Sequence, residues 1–246
     1  MERVGSLLRA RGLCREYGTG AALVSAVKNI DLDVNAGETV AVMGPSGCGK
    51  STLLHLLGGL ERPSRGELQL AGRRMDGLSE KALARLRLST IGFVFQAFHL
   101  VEELTAAENV ELPALLAGRS MRVARARAAA LLEEVGLSDR AGHLPSALSG
   151  GQRQRVAIAR ALSSEPEIVF ADEPTGNLDS ASTLDVLRLL ERLRVAGQTL
   201  VIVTHDERIA ATADRLISMR DGSFIEEMRL AHGSSTRLGE LAGFER

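Results

Sequence analysis

The sequence predicts an α/β fold, and three observations carry that prediction. Two short apolar runs, 167–171 and 199–204, have the composition of strands buried on both faces of a parallel sheet. A glycine-rich turn at 44–49 stands between a short apolar run and a leucine-rich helical pattern. Residues 106 to about 162 are rich in Ala, Leu, Glu and Arg, with little β character. Strand, helix and strand around an inserted helical block is an α/β order.

In chain order, residues 1–42 read as short strands, with β-branched residues over 24–33 and an apolar run at 38–43 entering the glycine-rich turn. Residues 51–60 read as a helix whose Leu53, Leu54, Leu56, Leu57 and Leu60 cover a broad face. Short β-rich runs follow at 66–70 and 91–96. The helical block includes 122–135, closed by Gly136. Beyond strand 167–171, an amphipathic helix covers 180–196 and Gly197 ends it. Residues 214–220 and 223–227 form a hairpin around Asp221 and Gly222. The tail from Arg229 carries no pattern that assigns it.

The 246 residues are 45% hydrophobic, enough for one sizeable domain with subdomains. With 30 basic and 31 acidic residues, no bulk field draws the chain to nucleic acid or anionic lipid. Cys14 and Cys48 lack metal-ligand spacing, and with no signal-peptide pattern they fit a reducing interior. No stretch approaches the ~18 consecutive apolar residues of a spanning helix. The expectation is a chain that is soluble or held at a membrane by a partner.

Gly44, Pro45, Ser46, Gly47, Cys48, Gly49, Lys50 and Ser51 fit G-x-x-x-x-G-K-[ST] between a strand and a helix. Gly44, Gly47 and Gly49 let backbone N–H groups turn toward phosphate oxygens, and the helix start at Ser51 and Thr52 adds its positive end. Lys50 supplies a point charge for the β- and γ-phosphates, and the Ser51 hydroxyl is a hard ligand suited to Mg²⁺. Cys48 reads as a tolerated small residue of the turn. Asp172 and Glu173 end an apolar strand. Asp172 stands where Mg²⁺ needs a second contact, and Glu173 is free to activate an attacking water.

Leu148, Ser149, Gly150, Gly151 and Gln152 bring small residues to a second helix start, with free N–H groups and a positive end. Alone, this stretch also fits a polar helix cap at Ser149. With the phosphate turn, the carboxylate pair and this motif in one order, the chain resembles the ABC ATPases over residues 1 to about 228. That resemblance implies a P-loop NTPase (RecA-like) core, an N-terminal antiparallel β subdomain and a helical subdomain inserted at about 97–162. Residues 229–246 form a short C-terminal extension. It also implies ATP and Mg²⁺ as ligands, and two copies of the chain closing head-to-tail. Ser149 and its neighbours then face the γ-phosphate held by the opposing copy.

The same resemblance places Tyr17 as the adenine platform, although a plain strand aromatic remains the alternative. It places Gln96 at Mg²⁺ and between the subdomains. Asn177, Leu178 and Asp179 become the loop that crosses between copies, and His205 the γ-phosphate contact. Lys50, Glu173 and His205 are the catalytic expectation, and Ser51, Gln96 and Asp172 the metal expectation.

The run from Gly92 through Phe98 to Pro113, with FADEPTGNLDS, is similar to the branch holding MacB, LolD and FtsE-like ATPases. That branch implies a separate integral-membrane permease, a position at the cytoplasmic face of the membrane, and no nucleic-acid partner. Driving a membrane signalling partner without transport is the alternative within it. A repair or translation ATPase needs a coiled coil, zinc cysteines or a second cassette, and a binding-only switch conflicts with Glu173 and His205. Phe98, His99, Leu100 and Val101, just past Phe93 and Phe95, are expected to line a groove for a permease helix. Arg119, Arg122, Arg125 and Arg127 read as a solvated helix face.

Overall fold

Two sheets and a helical block organise residues 6–230, which a computed structural model describes. In chain order the elements are β1 (Leu8–Tyr17), β2 (Val24–Val34), β3 (Thr39–Met43), α1 (Lys50–Leu57), β4 (Arg65–Leu70) and β5 (Arg73–Arg74). Next come α2 (Glu80–Thr90), β6 (Ile91–Val94), α3 (Ala106–Leu116), α4 (Met121–Glu134) and α5 (Gly150–Leu162). The last are β7 (Ile168–Asp172), α6 (Ser180–Val195), β8 (Thr199–Thr204), α7 (Glu207–Ala210), β9 (Arg215–Arg220) and β10 (Ser223–Arg229).

The first sheet is antiparallel, in the order β2-β1-β4-β5. The second runs β10-β9-β3-β8-β7-β6, parallel except for the β9–β10 hairpin. Alternation along its strands divides the interior in two. Phe170, Val201 and Val203 face a core shared with α1, α2 and the first sheet. Val169, Ala171, Leu200 and Ile202 face a second core shared with α3, α4, α5 and α6. Both faces of β7 and β8 are therefore covered, which explains their unbroken apolar runs. The helical block sits between β6 and β7, so the ends of those two strands carry both the core site and the junction to the helices.

Local differences from the expectation have physical causes. β1 and β2 are long rather than short, and register shifts from Ala10 to Glu16 bend them while pairing continues. α1 ends at Leu57 instead of residue 60 because Gly58 lies against the Phe93 ring, where a Cβ would overlap it, and Gly59 turns left-handed. α2 was not anticipated. Ser79 caps it by accepting from the Ala82 N–H, and Leu83 and Leu86 bury its face. The strand expected at 91–96 stops at Val94, so Phe95 and Gln96 lie in the exit loop. The last expected segment, 229–246, lies outside the described residues apart from Arg229 and Leu230.

Candidate nucleotide site

The phosphate turn connects β3, at the centre of the parallel sheet, to α1. Burial of Leu53, Leu54, Leu56 and Leu57 on the core fixes α1, each contributing about 1.5–3 kcal/mol. Gly49 has φ 102°, and a Cβ there would collide with the Ala26 carbonyl of β2. The β9–β10 turn latches the loop: Gly222 N–H donates to the Cys48 carbonyl (3.0 Å), and the Gly222 carbonyl accepts from Lys28 N–H (2.8 Å). Cys48 is buried beneath the turn. Lys50 is only 7% exposed, and its Nζ donates to the carbonyls of Gly44 (2.8 Å) and Pro45 (3.1 Å).

Ser46, Gly47, Gly49, Lys50, Ser51 and Thr52 line a cavity of about 340 Å³. Gln96, Glu173 and His205 close its other side. Ser51 Oγ donates to Asp172 Oδ1 at 3.0 Å. Burial raises the Asp172 carboxyl above its ordinary range, against the Ser51 hydrogen bond, His55 and Lys50, while the Glu173 charge adds to the rise. Glu173 leaves the strand end with φ 43°, a left-handed conformation that costs a non-glycine residue of order 1–3 kcal/mol. Its N–H donates to the Val203 carbonyl at 2.9 Å. Its Oε2 sits 2.9 Å from His205 Nδ1 and accepts from the His205 N–H at 3.2 Å.

These residues fit a divalent cation only together with a ligand. Among the described residues no group of three or more His, Cys, Asp or Glu could hold a metal. One hydroxyl and one carboxylate in contact, with Gln96 on the same cavity, suit a small hard cation that takes its other oxygens from water and phosphate.

Gln96 also bonds the loop between β7 and α6. Its Nε2 donates to Asn177 Oδ1 (3.2 Å), and Asn177 Nδ2 donates to its carbonyl (3.0 Å). The other expected residues stand outside the cavity. Ser149 is the exposed N-cap of α5. Its Oγ accepts from the Gln152 N–H (3.2 Å), and Gln152 Oε1 accepts from the Ser149 N–H (2.9 Å). Gly150 lies beside Asn177 and Leu178, and Gly151 packs on the Ser182 side chain. Asp179 caps α6 by accepting from Ser182 N–H at 2.7 Å, which holds its carboxyl below the ordinary range. Tyr17 is 38% exposed at the end of β1. Its hydroxyl donates to Glu61 Oε2 (2.6 Å), and the Arg15 guanidinium covers one ring face (4.5 Å).

The groove expectation is corrected in its residues. An apolar groove of about 500 Å³ does open beside β6, walled by Leu60, Leu88, Phe93, Phe95, His99 and Pro113. Of the four residues expected to line it, only His99 does. Phe98 and His99 both adopt positive φ (62° and 50°), which turns the Phe98 ring under the Arg153 guanidinium at 5.1 Å. Their carbonyls accept from Arg160, and Leu100 packs on the core of the helical block. Phe93 and Phe95 stack in parallel at 5.5 Å (9° between planes) and form the groove floor. Arg119, Arg122 and Arg125 are exposed as expected, Arg125 within 3.9 Å of Glu111, while Arg127 is half-buried and reaches the Leu162 carbonyl (3.4 Å).

A glycine-turn cradle at the end of a central parallel strand, with paired acidic residues at the end of its neighbour but one, defines a P-loop nucleotide hydrolase. The ABC transporter family model matches residues 27–176, and the chain belongs to that family as an ABC-type ATPase subunit. It is 52% identical over 223 residues to a macrolide export ATP-binding/permease protein, MacB, of Paracoccus denitrificans. That match covers 91% of this chain but 33% of the relative, so the chain spans about a third of the length of its MacB relatives. It is 50% identical to an uncharacterized ABC transporter ATP-binding protein of Methanocaldococcus jannaschii, covering 89% of this chain and 98% of that one. Among solved structures, the dimeric ATP-binding cassette MJ0796 in a post-hydrolysis state bound to ADP and Pi superposes with TM-score 0.85 at 40% identity. That match covers 92% of this chain and all of the cassette. The MacB relative carries the name of the branch that the sequence resembles.

Proposed function

We propose that two copies of this chain bind and hydrolyse two ATP molecules between them and drive a separate membrane permease of the macrolide-exporter or lipoprotein-release type. The observation that carries the reading is a half-complete site. Lys50, Ser51, Gln96, Glu173 and His205 line one cavity, with Asp172 bonded to Ser51, while Ser149 sits exposed at another helix start. A second copy placed head-to-tail supplies the missing wall.

In this reading the phosphate turn and Lys50 hold the triphosphate, and Lys50 exchanges its two carbonyl partners for phosphate oxygens. Ser51, Asp172 and Gln96 would hold Mg²⁺, which supplies positive charge opposite the phosphate oxygens when bound. Glu173 takes a proton from water as the water oxygen attacks the γ-phosphorus and the bond to the ADP oxygen breaks. His205, 2.9 Å from that carboxylate, keeps Glu173 turned into the cavity and donates toward the departing phosphate. Tyr17 stacks on the adenine. Asp179 lies on the surface that crosses to the second copy.

The permease docks a short helix in the groove floored by Phe93 and Phe95, placing the chain at the cytoplasmic face of the membrane. No helix among the described residues is long and apolar enough to cross a membrane. Phosphate release measured with Mg²⁺ and with EDTA tests the hydrolysis reading, and metal-independent or absent turnover contradicts it. Co-purification from membranes tests the permease: the native chain retains an integral-membrane partner, and Leu88→Asp with His99→Asp releases it while turnover persists.

A further inference from the structure

α1 carries a side chain, His55, that the proposed mechanism leaves unused. His55 stands one helical turn after Ser51, so the two share a face. That face meets the end of β7. Ser51 Oγ takes Asp172 Oδ1 at 3.0 Å, and His55 Nε2 lies 3.9 Å from the other oxygen, Oδ2. The Asp172 carboxylate is thus approached by two residues of one helix, one at each oxygen.

His55 is held from three sides. Its Nδ1 faces Glu61 Oε1 at 3.8 Å. Glu61 is fixed in turn: its N–H donates to the His55 carbonyl (3.2 Å), its Oε2 accepts from the Tyr17 hydroxyl (2.6 Å), and the same oxygen forms an ion pair with Arg15 Nε at 3.1 Å. The Phe95 ring packs edge-on against the imidazole at 6.4 Å. Separations of 3.8–3.9 Å are longer than direct hydrogen bonds, so the couplings to the two carboxylates act through charge and dipole. The early end of α1 at Gly58 makes this geometry, because the chain turns back and delivers Glu61 to the imidazole.

We infer that His55 is a positioning residue for the metal. It fixes the orientation in which Asp172 meets the hydrated Mg²⁺, and Glu61 fixes His55. The inference rests on the ATP·Mg²⁺ reading of the cavity. It also links the residue proposed for adenine, Tyr17, to the residue proposed for metal, Asp172, through Glu61 and His55. Residues that orient a metal ligand typically change metal affinity by about 10–100-fold when removed.

The test is ATP binding by calorimetry to the full chain, once with Mg²⁺ and once with EDTA, for the native protein, His55→Leu and His55→Gln. Thermal melting of each variant checks the fold. His55→Leu weakens binding of Mg·ATP by about 10-fold or more and leaves metal-free ATP binding within about twofold. His55→Gln, which keeps a polar group at the same reach, recovers part of the loss. Equal weakening in both conditions assigns His55 a purely structural role and overturns the inference, as does no weakening in either. A native chain that binds ATP identically with and without Mg²⁺ removes the metal reading itself, a failure distinguishable from that of His55.

Discussion

The two glycine-bearing helix starts of the chain, at α1 and at α5, are built in opposite ways. α1 begins at Gly49, in a left-handed conformation with no side-chain cap, and its first residues line an open cavity. α5 begins at Ser149 with a reciprocal capping box that satisfies donors at both Ser149 and Gln152. An uncapped helix start leaves N–H groups for an anion, whereas a capped one is stable as it stands. The first is shaped to receive an anion. The second is a surface whose end donors are already satisfied within the chain. Opposite local designs in one chain give the two helix starts different capacities for an anion.

The largest expected effect lies on the α1 side. Glu173→Gln lowers turnover by about 10²–10⁴-fold with ATP affinity nearly unchanged, measured by phosphate release and equilibrium binding. Next is Lys50→Ala, which weakens ATP binding by about 10–100-fold, the range expected for losing a charged hydrogen-bond donor. Ser149→Ala leaves the affinity of a single chain for ATP unchanged. Equal losses for these two variants break the comparison.

Effects on the α5 side appear as stability. At Gly151→Ala the new Cβ lies 2.5 Å from the Ser182 Cβ, and the overpacking destabilises the fold by about 1–3 kcal/mol in urea unfolding. Ser149→Ala removes the cap and costs about 1 kcal/mol, which Ser149→Asn largely retains. The smallest effect is at Asp179, whose carboxyl is held low by the Ser182 N–H. A depressed folded value contributes stability above the unfolded value, and that contribution disappears as pH falls through the folded one. Asp179→Ala therefore flattens the acid limb of the stability profile slightly.

The legible parts of the sequence were those where one segment holds the whole signal. The phosphate turn, β7, β8 and the cap at Ser149 each declare themselves within a few residues. α2 did not, because its apolar face is narrow and half of its residues from Glu80 to Arg87 are charged. The groove was anticipated beside the right strand but with the wrong side chains. Nothing in Phe98 or His99 signals the left-handed backbone that turns one ring away and the other in. His55 was invisible for a different reason: its partners, Glu61 and Asp172, meet it only because α1 stops early and β7 lies beside it. The roles of Ser149 and Asp179 rest on family resemblance, and neither residue lines the cavity.

The central claim is that the α1 half-site of one copy is completed by the α5 surface of another. Light scattering of Glu173→Gln with saturating ATP and Mg²⁺ tests it most directly. The account predicts twice the mass of one chain with ATP and a single-chain mass without it, with the larger species abolished by adding Ser149→Arg. A single-chain mass at saturating ATP, or a dimer indifferent to Ser149→Arg, would contradict it.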